Sequence, residues 1–314
     1  MKIGVIGTGY WGKKHVQEFL NLGNDVIIAD SLEKNRKFCK KNFNVTTFEN
    51  YYKLLADPSI SSVSICTPNE THKKIAIDAL KYKKNILVEK PLALSTSDIN
   101  EILNLAKKEN KIVMTGHVFR FNSAIKKIKE LVTNNEIGDV FLVELTWSEF
   151  YPLIGENSLI GKNILYDQGI HPIDIVDYIF SPILEKLNLF TSGFRMDDSE
   201  YSIFNFKFKN NSKMKDTLVT IKLSWITPIR KRELIIVGSE KTIIADCTSQ
   251  DIQIIDNINK SSFNIPIEKN DPLHDELKFF LECSKQPNLL QLPYPMGKIG
   301  EKIVKIIEST INLN

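Results

Sequence analysis

The sequence is short of cysteine and arginine and has no long apolar run. Its four cysteines, Cys39, Cys66, Cys247 and Cys283, form no CxxC pair and no Cys/His group with zinc spacing. A disulfide framework and a structural metal site are therefore left without ligands, and no metal is expected. Scattered single thiols suit a reducing compartment. Met1 leads straight into the apolar stretch Lys2–Ile6 with no leader pattern, so a cytoplasmic location is expected. No apolar segment approaches the roughly 18 residues that a membrane span needs, and no membrane partner is expected. Only 5 of the 41 basic residues are arginine, and 38 acidic residues leave a net charge of +3. A surface that reads phosphates would favour the bidentate arginine fork, so nucleic acid is not an expected partner. What is present is ordinary for a globular chain, 42% hydrophobic and 25% charged. The length of 314 residues corresponds to about two domains at roughly 150 residues each.

The first third alternates short apolar strands with amphipathic helices. Strands are expected at Lys2–Ile6, Asp25–Ala29, Ser62–Cys66, Asn85–Val88 and Ile112–Thr115. Helices are expected at Trp11–Leu22, Glu33–Asn42, His72–Lys81 and Ser97–Lys108. This rhythm predicts βαβ units and a mostly parallel sheet covered on both faces. From about Val140 the period changes to two, as in Phe204, Phe206, Phe208 and in Val219, Ile221, Leu223, Trp225. Such alternation predicts strands with one apolar and one polar face. One helix near Ile170–Phe180 interrupts them, and Pro272–Ser284 and Gly297–Ile311 close the chain as helices. The expected fold class is α/β: an N-terminal Rossmann domain over residues 1–121, then an α+β domain over 122–314 with a large, mostly antiparallel sheet.

Residues 7–12 read Gly-Thr-Gly-Tyr-Trp-Gly, directly after the first strand and at the start of the first helix. Gly7 permits the tight turn, Gly9 lets the backbone approach a pyrophosphate, and Gly12 allows close helix–strand packing. The helix N-terminus then favours the phosphate charge. Asp30 follows Gly12 by 18 residues at the end of the second strand, where a carboxylate accepts from ribose hydroxyls. Its charge disfavours the 2′-phosphate of NADP, so NAD is expected, with NADP left open by nearby Lys34 and Arg36. Thr8, Tyr10 and Trp11 complete the candidate cofactor turn, the two aromatic side chains reading first as helix-start packing. His15 carries no evident chemistry.

Two further segments carry a resemblance. Residues 66–72 read Cys-Thr-Pro-Asn-Glu-Thr-His and residues 89–91 read Glu-Lys-Pro. Gly116–Asn122, Asp167–Asp174, Ser224–Pro228 and Asp271–Leu277 continue the pattern in order. The chain resembles the glucose–fructose oxidoreductase/inositol dehydrogenase/rhizopine catabolism family of NAD(P)-dependent oxidoreductases. The resemblance implies that Lys90, Asp167 and His171 line the substrate side of a cleft. A lysine can polarise a reacting oxygen, and an imidazole, with an ordinary pKa of about 6.5, can take its proton. Asp167 precedes His171 by four residues, so one helical turn would face both to the same side. Thr67, Pro68, Asn69, His72 and Lys90 are implied as cofactor neighbours, with His72 alternatively capping the following helix, and Glu89 reads as structural or cofactor-adjacent rather than catalytic. Asp174 reads as a structural partner, and a cis Lys90–Pro91 bond is implied.

Within the family, the glycine turn, the Gly116–Asn122 stretch and Ser224–Pro228 with Arg230 and Arg232 look most like nucleotide-sugar dehydrogenases. Those enzymes oxidise the C3 hydroxyl of a UDP-linked N-acetylated sugar. Arg120 and Asn122 are further candidate substrate contacts, Arg120 being equally readable as an ion-pair residue. Two departures bear on substrate: Pro172 stands where an acidic residue is commoner, and Tyr151–Asn157 lacks a basic residue. A free-sugar or inositol dehydrogenase, and a non-catalytic cofactor-bound regulator, are the alternatives. An open sheet face predicts self-association as a dimer or tetramer.

Overall fold

The computed structural model describes residues 1–151, 163–181, 184–195, 200–209, 216–285 and 297–311. The chain divides into two compact units. One comprises Met1–Val118 with Asp271–Lys305, and the other Phe119–Asn270 with the residues after Lys305.

The first unit is built on β1 (Lys2–Ile6), α1 (Tyr10–Asn21), β2 (Asp25–Ala29), α2 (Glu33–Phe43), β3 (Thr46–Phe48), α3 (Tyr51–Leu55), β4 (Ile60–Ile65), α4 (Asn69–Lys81), β5 (Asn85–Glu89), α5 (Thr96–Glu109) and β6 (Val113–Gly116). Among the described residues the sheet runs β3-β2-β1-β4-β5-β6, and every pairing is parallel. Strand order reverses direction at β1 and β4, which in doubly wound sheets opens a ligand crevice at the carboxyl ends. The strands are buried on both faces because Ile3, Val5, Val63, Ile65, Ile86, Leu87 and Val88 are apolar without alternation. Helix ends are set locally. The Ser95 hydroxyl accepts from the Asp98 amide to start α5, and Asn110 in the left-handed region stops it. Asn44 does the same for α2, as asparagine tolerates that conformation.

The second unit holds α6 (Ser123–Thr133), β7 (Val140–Ser148), α7 (Ile170–Phe180), β8 (Leu184–Ser192), β9 (Tyr201–Lys209), β10 (Asp216–Ser224), β11 (Lys231–Gly238), β12 (Lys241–Asp246), β13 (Asp251–Asp256) and β14 (Ser262–Asn264). Its sheet runs β14-β13-β12-β11-β7-β10-β9-β8 among the described residues. All pairs are antiparallel except β7 with β10, which run parallel from Leu142↔Leu218 to Ser148↔Ser224. Alternating burial marks one covered face, with Val143, Leu145, Trp147, Val219, Ile221, Leu234 and Ile236 inward. A half-covered strand alternates in the same way whichever direction its neighbour runs, so the parallel pair is invisible to periodicity.

Three parts of the fold depart from the sequence-based expectation. β3 and α3, of 3 and 5 residues, are too short to show a period. α6 has a readable signal that the expectation does not include: the Asn122 side chain caps it, and Ala124, Ile125, Ile128 and Leu131 form its buried face. The helices α8 (Pro272–Lys285) and α9 (Gly297–Ile311) belong in part to the first unit. α8 packs on α1, and His274 Nδ1 lies 3.1 Å from Glu18 Oε2. Gly297 and Gly300 allow α9 to approach Leu103, Val113, Leu92 and Thr115, where a Cβ would collide. No helix among the described residues is long and apolar enough to cross a membrane.

Candidate functional site

The carboxyl edge of the parallel sheet gathers the first unit's candidate residues. Gly7–Gly12 follow β1, Asp30 follows β2, Thr67–Asn69 follow β4, and Glu89–Pro91 end and follow β5. Gly7 has φ +82, and a Cβ there would lie 2.9 Å from the Cys66 carbonyl oxygen. A Cβ on Gly12 would collide with the Gly7 carbonyl oxygen. Gly9 differs, because a Cβ there would meet nothing within 4 Å. It caps α1, whose first turn contains no acidic residue, and the amides at a helix N-terminus carry positive potential. Open space in front of this helix N-terminus fits a dinucleotide pyrophosphate. Tyr10 and Trp11 turn their rings outward, edge to face at 5.7 Å, with the Lys14 ammonium 4.5 and 4.7 Å from the two centroids.

Asp30 is buried and holds the turn from the other side. Its Oδ2 accepts from the Thr8 amide at 2.6 Å, the Thr8 hydroxyl at 2.9 Å and Asn35 Nδ2 at 3.1 Å. Oδ1 accepts from the Leu32 amide at 2.8 Å, and an ionised carboxylate oxygen has room for a second donor. That capacity fits one ribose hydroxyl. Arg36, a residue that left NADP open, donates to the Asp30 and Ser31 carbonyls at 2.7 and 2.8 Å.

The Glu89-Lys90-Pro91 segment has a cis Lys90–Pro91 bond. His72, fully buried, is not a helix cap. Its Nδ1 lies 2.7 Å from the Pro91 carbonyl oxygen and its Nε2 2.8 Å from that of Thr67. Burial pushes this imidazole below the ordinary histidine value, against the pull of both carbonyls. His15, whose sequence surroundings carry no evident chemistry, is also fully buried and lies 2.9 Å from Glu89 Oε1.

In the second unit, Asp167 sits inside a widened π turn, Leu165–Gly169, that runs into α7 and His171. Such turns cluster at functional sites. The His171 ring stands edge-on to Phe119 at 5.2 Å, and Phe119 to Trp147 at 5.3 Å. Tyr151 is pushed up to about 12, by burial and then by the charges of Asp167 and Glu149. Neither Tyr151 nor Glu149 is among the expected site residues; the fold brings Tyr151 near both Asp167 and Glu149. Residues 152–157 of the Tyr151–Asn157 stretch lie outside the described residues.

The expected substrate donors are largely engaged within the protein. Arg120 is buried and donates from Nε to Asp174 and from Nη2 to Asp177, both at 2.7 Å. Asn122 accepts from the Ile125 amide at 3.1 Å and donates to the Cys247 carbonyl at 3.0 Å. Arg232 donates to the Ser148 carbonyl and to Glu149, both at 2.9 Å. Arg230 stands 3.8 Å from the same Glu149 and is 64% exposed. Among the described residues no group of three or more His, Cys, Asp or Glu side chains could hold a metal ion.

Residues 1–117 match the oxidoreductase family with an NAD-binding Rossmann fold, and residues 125–244 match the GFO/IDH/MocA C-terminal domain. The chain belongs to the GFO/IDH/MocA oxidoreductase family. It is 30% identical over 203 residues to myo-inositol 2-dehydrogenase of Thermotoga maritima, a match covering 64% of this chain and 60% of that protein. The chain spans between about half and three-fifths of the length of such curated relatives. UDP-N-acetylglucosamine 3-dehydrogenase of Acidithiobacillus ferrooxidans shares the fold at a TM-score of 0.85 and 19% identity, over 99% of this chain and 96% of that one. Levoglucosan dehydrogenase, solved with NADH and levoglucosan, does so at 0.84 and 18%, over 99% and 96%. In this GFO/IDH/MocA chain the first unit is thus an NAD-binding Rossmann fold.

Two predictions follow from the geometry. Gly9→Ala keeps the unfolding free energy within about 0.5 kcal/mol of wild type yet weakens NADH binding, whereas Gly12→Ala lowers both. Fluorescence titration with NADH and urea denaturation check this pair. The second concerns the triad of one guanidinium and two carboxylates. Arg120→Ala removes the guanidinium from between Asp174 and Asp177 and costs about 3–5 kcal/mol. Burial raises Asp174 from 3.8 to about 7, against the pull of Arg120. The native carboxyl therefore holds a proton that the unfolded chain has already released between those values. Stability from this group falls as pH rises through that window, and Asp174→Asn flattens the fall in urea titrations run across it.

Proposed function

We propose that this chain is an NAD-dependent oxidoreductase that removes hydride from a secondary hydroxyl of a sugar or polyol. The observation that supports it most is the single sheet edge shared by the glycine turn, Asp30 and the Glu89-Lys90-Pro91 segment. NAD, when bound, supplies the hydride acceptor. Gly7–Gly12 hold the pyrophosphate through backbone amides, with Thr67, Pro68 and Asn69 as neighbours, and Asp30 takes a ribose hydroxyl. Lys90 donates a hydrogen bond to the reacting oxygen and favours the developing alkoxide by charge. His171 takes the hydroxyl proton as general base. Asp167 orients the substrate hydroxyl or the imidazole. Arg120 and Asn122, whose polar groups are engaged with Asp174, Asp177, Ile125 and Cys247, are given a structural role.

Within this class we propose a nucleotide sugar, a UDP-linked N-acetylated hexose oxidised at C3. Arg230 is the exposed donor available to a diphosphate. The second reading is a free sugar or inositol, favoured by the commitment of Arg232 to Glu149 and Ser148. We also propose self-association through the open face of the second unit's sheet. Leu218 is 40% exposed there beside Leu142, which also pairs with Val237.

Nicotinamide absorbance is followed with NAD and a panel of UDP-N-acetylglucosamine, myo-inositol, glucose 6-phosphate and levoglucosan. Turnover of at least one member is expected, and Lys90→Ala lowers kcat/KM by about 10²–10⁴-fold. NADH binding without turnover of any sugar or polyol would favour the regulator, and full activity in Lys90→Ala refutes the role of the lysine. Leu218→Glu is expected to shift the wild-type oligomer towards monomer in light scattering coupled to gel filtration. An unchanged mass rejects that face as the interface.

A further inference from the structure

The dinucleotide helix and the lysine segment are joined by a buried histidine and a part-buried glutamate that the proposed reaction does not itself use. His15 lies three residues past Gly12 on α1. Its Nε2 is 2.9 Å from Glu89 Oε1, and its Nδ1 is 2.9 Å from the Ser64 hydroxyl on β4. The other carboxylate oxygen of Glu89, Oε2, accepts from the backbone amide of Lys90 at 3.2 Å. One carboxylate therefore touches the imidazole of α1 with one oxygen and the amide of the lysine with the other. Gly116 on β6 is the register partner of Glu89, and a Cβ there would lie 3.4 Å from Oε2. On the other side of the lysine, His72 of α4 meets the Pro91 carbonyl at 2.7 Å. Lys90 is thus flanked by two held residues, one tied to α1 and the next tied to α4.

The imidazole is fully enclosed and the carboxylate is 13% exposed. The groups acting on His15 are Glu89 from β5, Ser64 and Cys66 from β4 and its end, and the Phe19 ring at 6.3 Å from its own helix. Those acting on Glu89 are His15, Lys90 and His72. Burial opposes charge on the imidazole, but Cys66 and Glu89 outweigh it and hold His15 well above its ordinary 6.5. Burial likewise raises Glu89, and His15 with Lys90 brings it below its ordinary 4.5. A buried ion pair is a poor source of net stability, because desolvation offsets most of its attraction. Its directional contacts do restrict the angle and depth of the segments it joins, which apolar packing leaves freer.

We infer that His15 and Glu89 form a positioning pair that sets Lys90 in register with the dinucleotide helix, with His72 as the second hold on the same segment. The inference rests on the proposed role of Lys90. Small displacements of a reacting group lower rates steeply, so the pair acts on turnover more than on cofactor affinity.

Three measurements on the full chain test it. Hydrogen exchange followed by mass spectrometry reads the 86–93 segment without any substrate. His15→Leu is expected to raise exchange there by about tenfold and to leave α5 unchanged, with His15→Gln intermediate because its amide still donates to Glu89. Long-range proton–nitrogen NMR of the histidine rings is expected to show His15 doubly protonated at about pH 7, with its pKa lowered in Glu89→Gln. With the substrate found in the panel, His15→Leu lowers kcat by about tenfold or more while the NADH Kd stays within about threefold, and His15→Gln recovers part of the loss. Unchanged exchange in the 86–93 segment, a neutral His15 ring, or wild-type kcat in His15→Leu each overturns the pair. A wild type that turns over no panel member overturns the dehydrogenase reading instead, and the exchange and ring data still decide whether the pair holds the segment.

Discussion

The contact between Gly12 and the carbonyl of Gly7 is the constraint on which the first unit depends. A helix can follow β1 that closely only where neither partner carries a side chain, and Cβ atoms at these two positions would run into backbone. Because the contact is tight, the first amides of α1 face the carboxyl edge of the sheet. Strand order then reverses beside β1, so the turns after β1 and β4 lie next to each other rather than behind a helix. Thr8 and Asp30 lock the turn to the neighbouring strand through buried hydrogen bonds. The same edge receives Glu89, Lys90 and Pro91 from β5.

Both units use buried charge to place a motif. In the first, His15 and Glu89 connect α1 to the strand that precedes Lys90. In the second, Arg120 joins the segment before α6 to Asp174 and Asp177 on α7, the helix that also bears His171. Charges removed from water cost several kcal/mol each unless partners satisfy them. Such arrangements tolerate only a few geometries, which is why they define a position better than an apolar contact does. The two arrangements differ in balance. His15 and Glu89 match one cation with one anion, whereas Arg120 faces two carboxylates, and burial then leaves Asp174 close to half-protonated near neutrality.

Much of the first unit was legible in the sequence because its signals are local. Glycine spacing, an acidic residue at the end of the second strand and unbroken apolar strands all follow from chain geometry within a few residues. The same holds for α7 and α9, whose bounds agree with the periodicity, and for Asp174 as a structural partner. Other features were hidden for physical reasons. β3 and α3 are shorter than a readable period, and the parallel pairing of β7 with β10 leaves no trace in alternation. His15 looked inert because its partners, Ser64 and Glu89, are 49 and 74 residues away. The sequence leaves Arg120 open between ligand contact and ion pair, and Arg232 between ligand contact and solvated strand face, because their carboxylate partners are likewise remote in sequence.

The sequence by itself determined where the longer strands and helices form, where the dinucleotide turn lies and which residue types can carry redox chemistry, since each rests on near-neighbour sterics and period. Tertiary structure decided which of those side chains remain available. It returned α8 to the side of α1, although the chain reaches it only after the second sheet. It turned His72 from a helix cap into a buried ring set between the Pro91 and Thr67 carbonyls, and engaged Arg120, Asn122 and Arg232 within the protein. A polar group's role depends on what else is brought within hydrogen-bond reach, and that is a property of long-range packing.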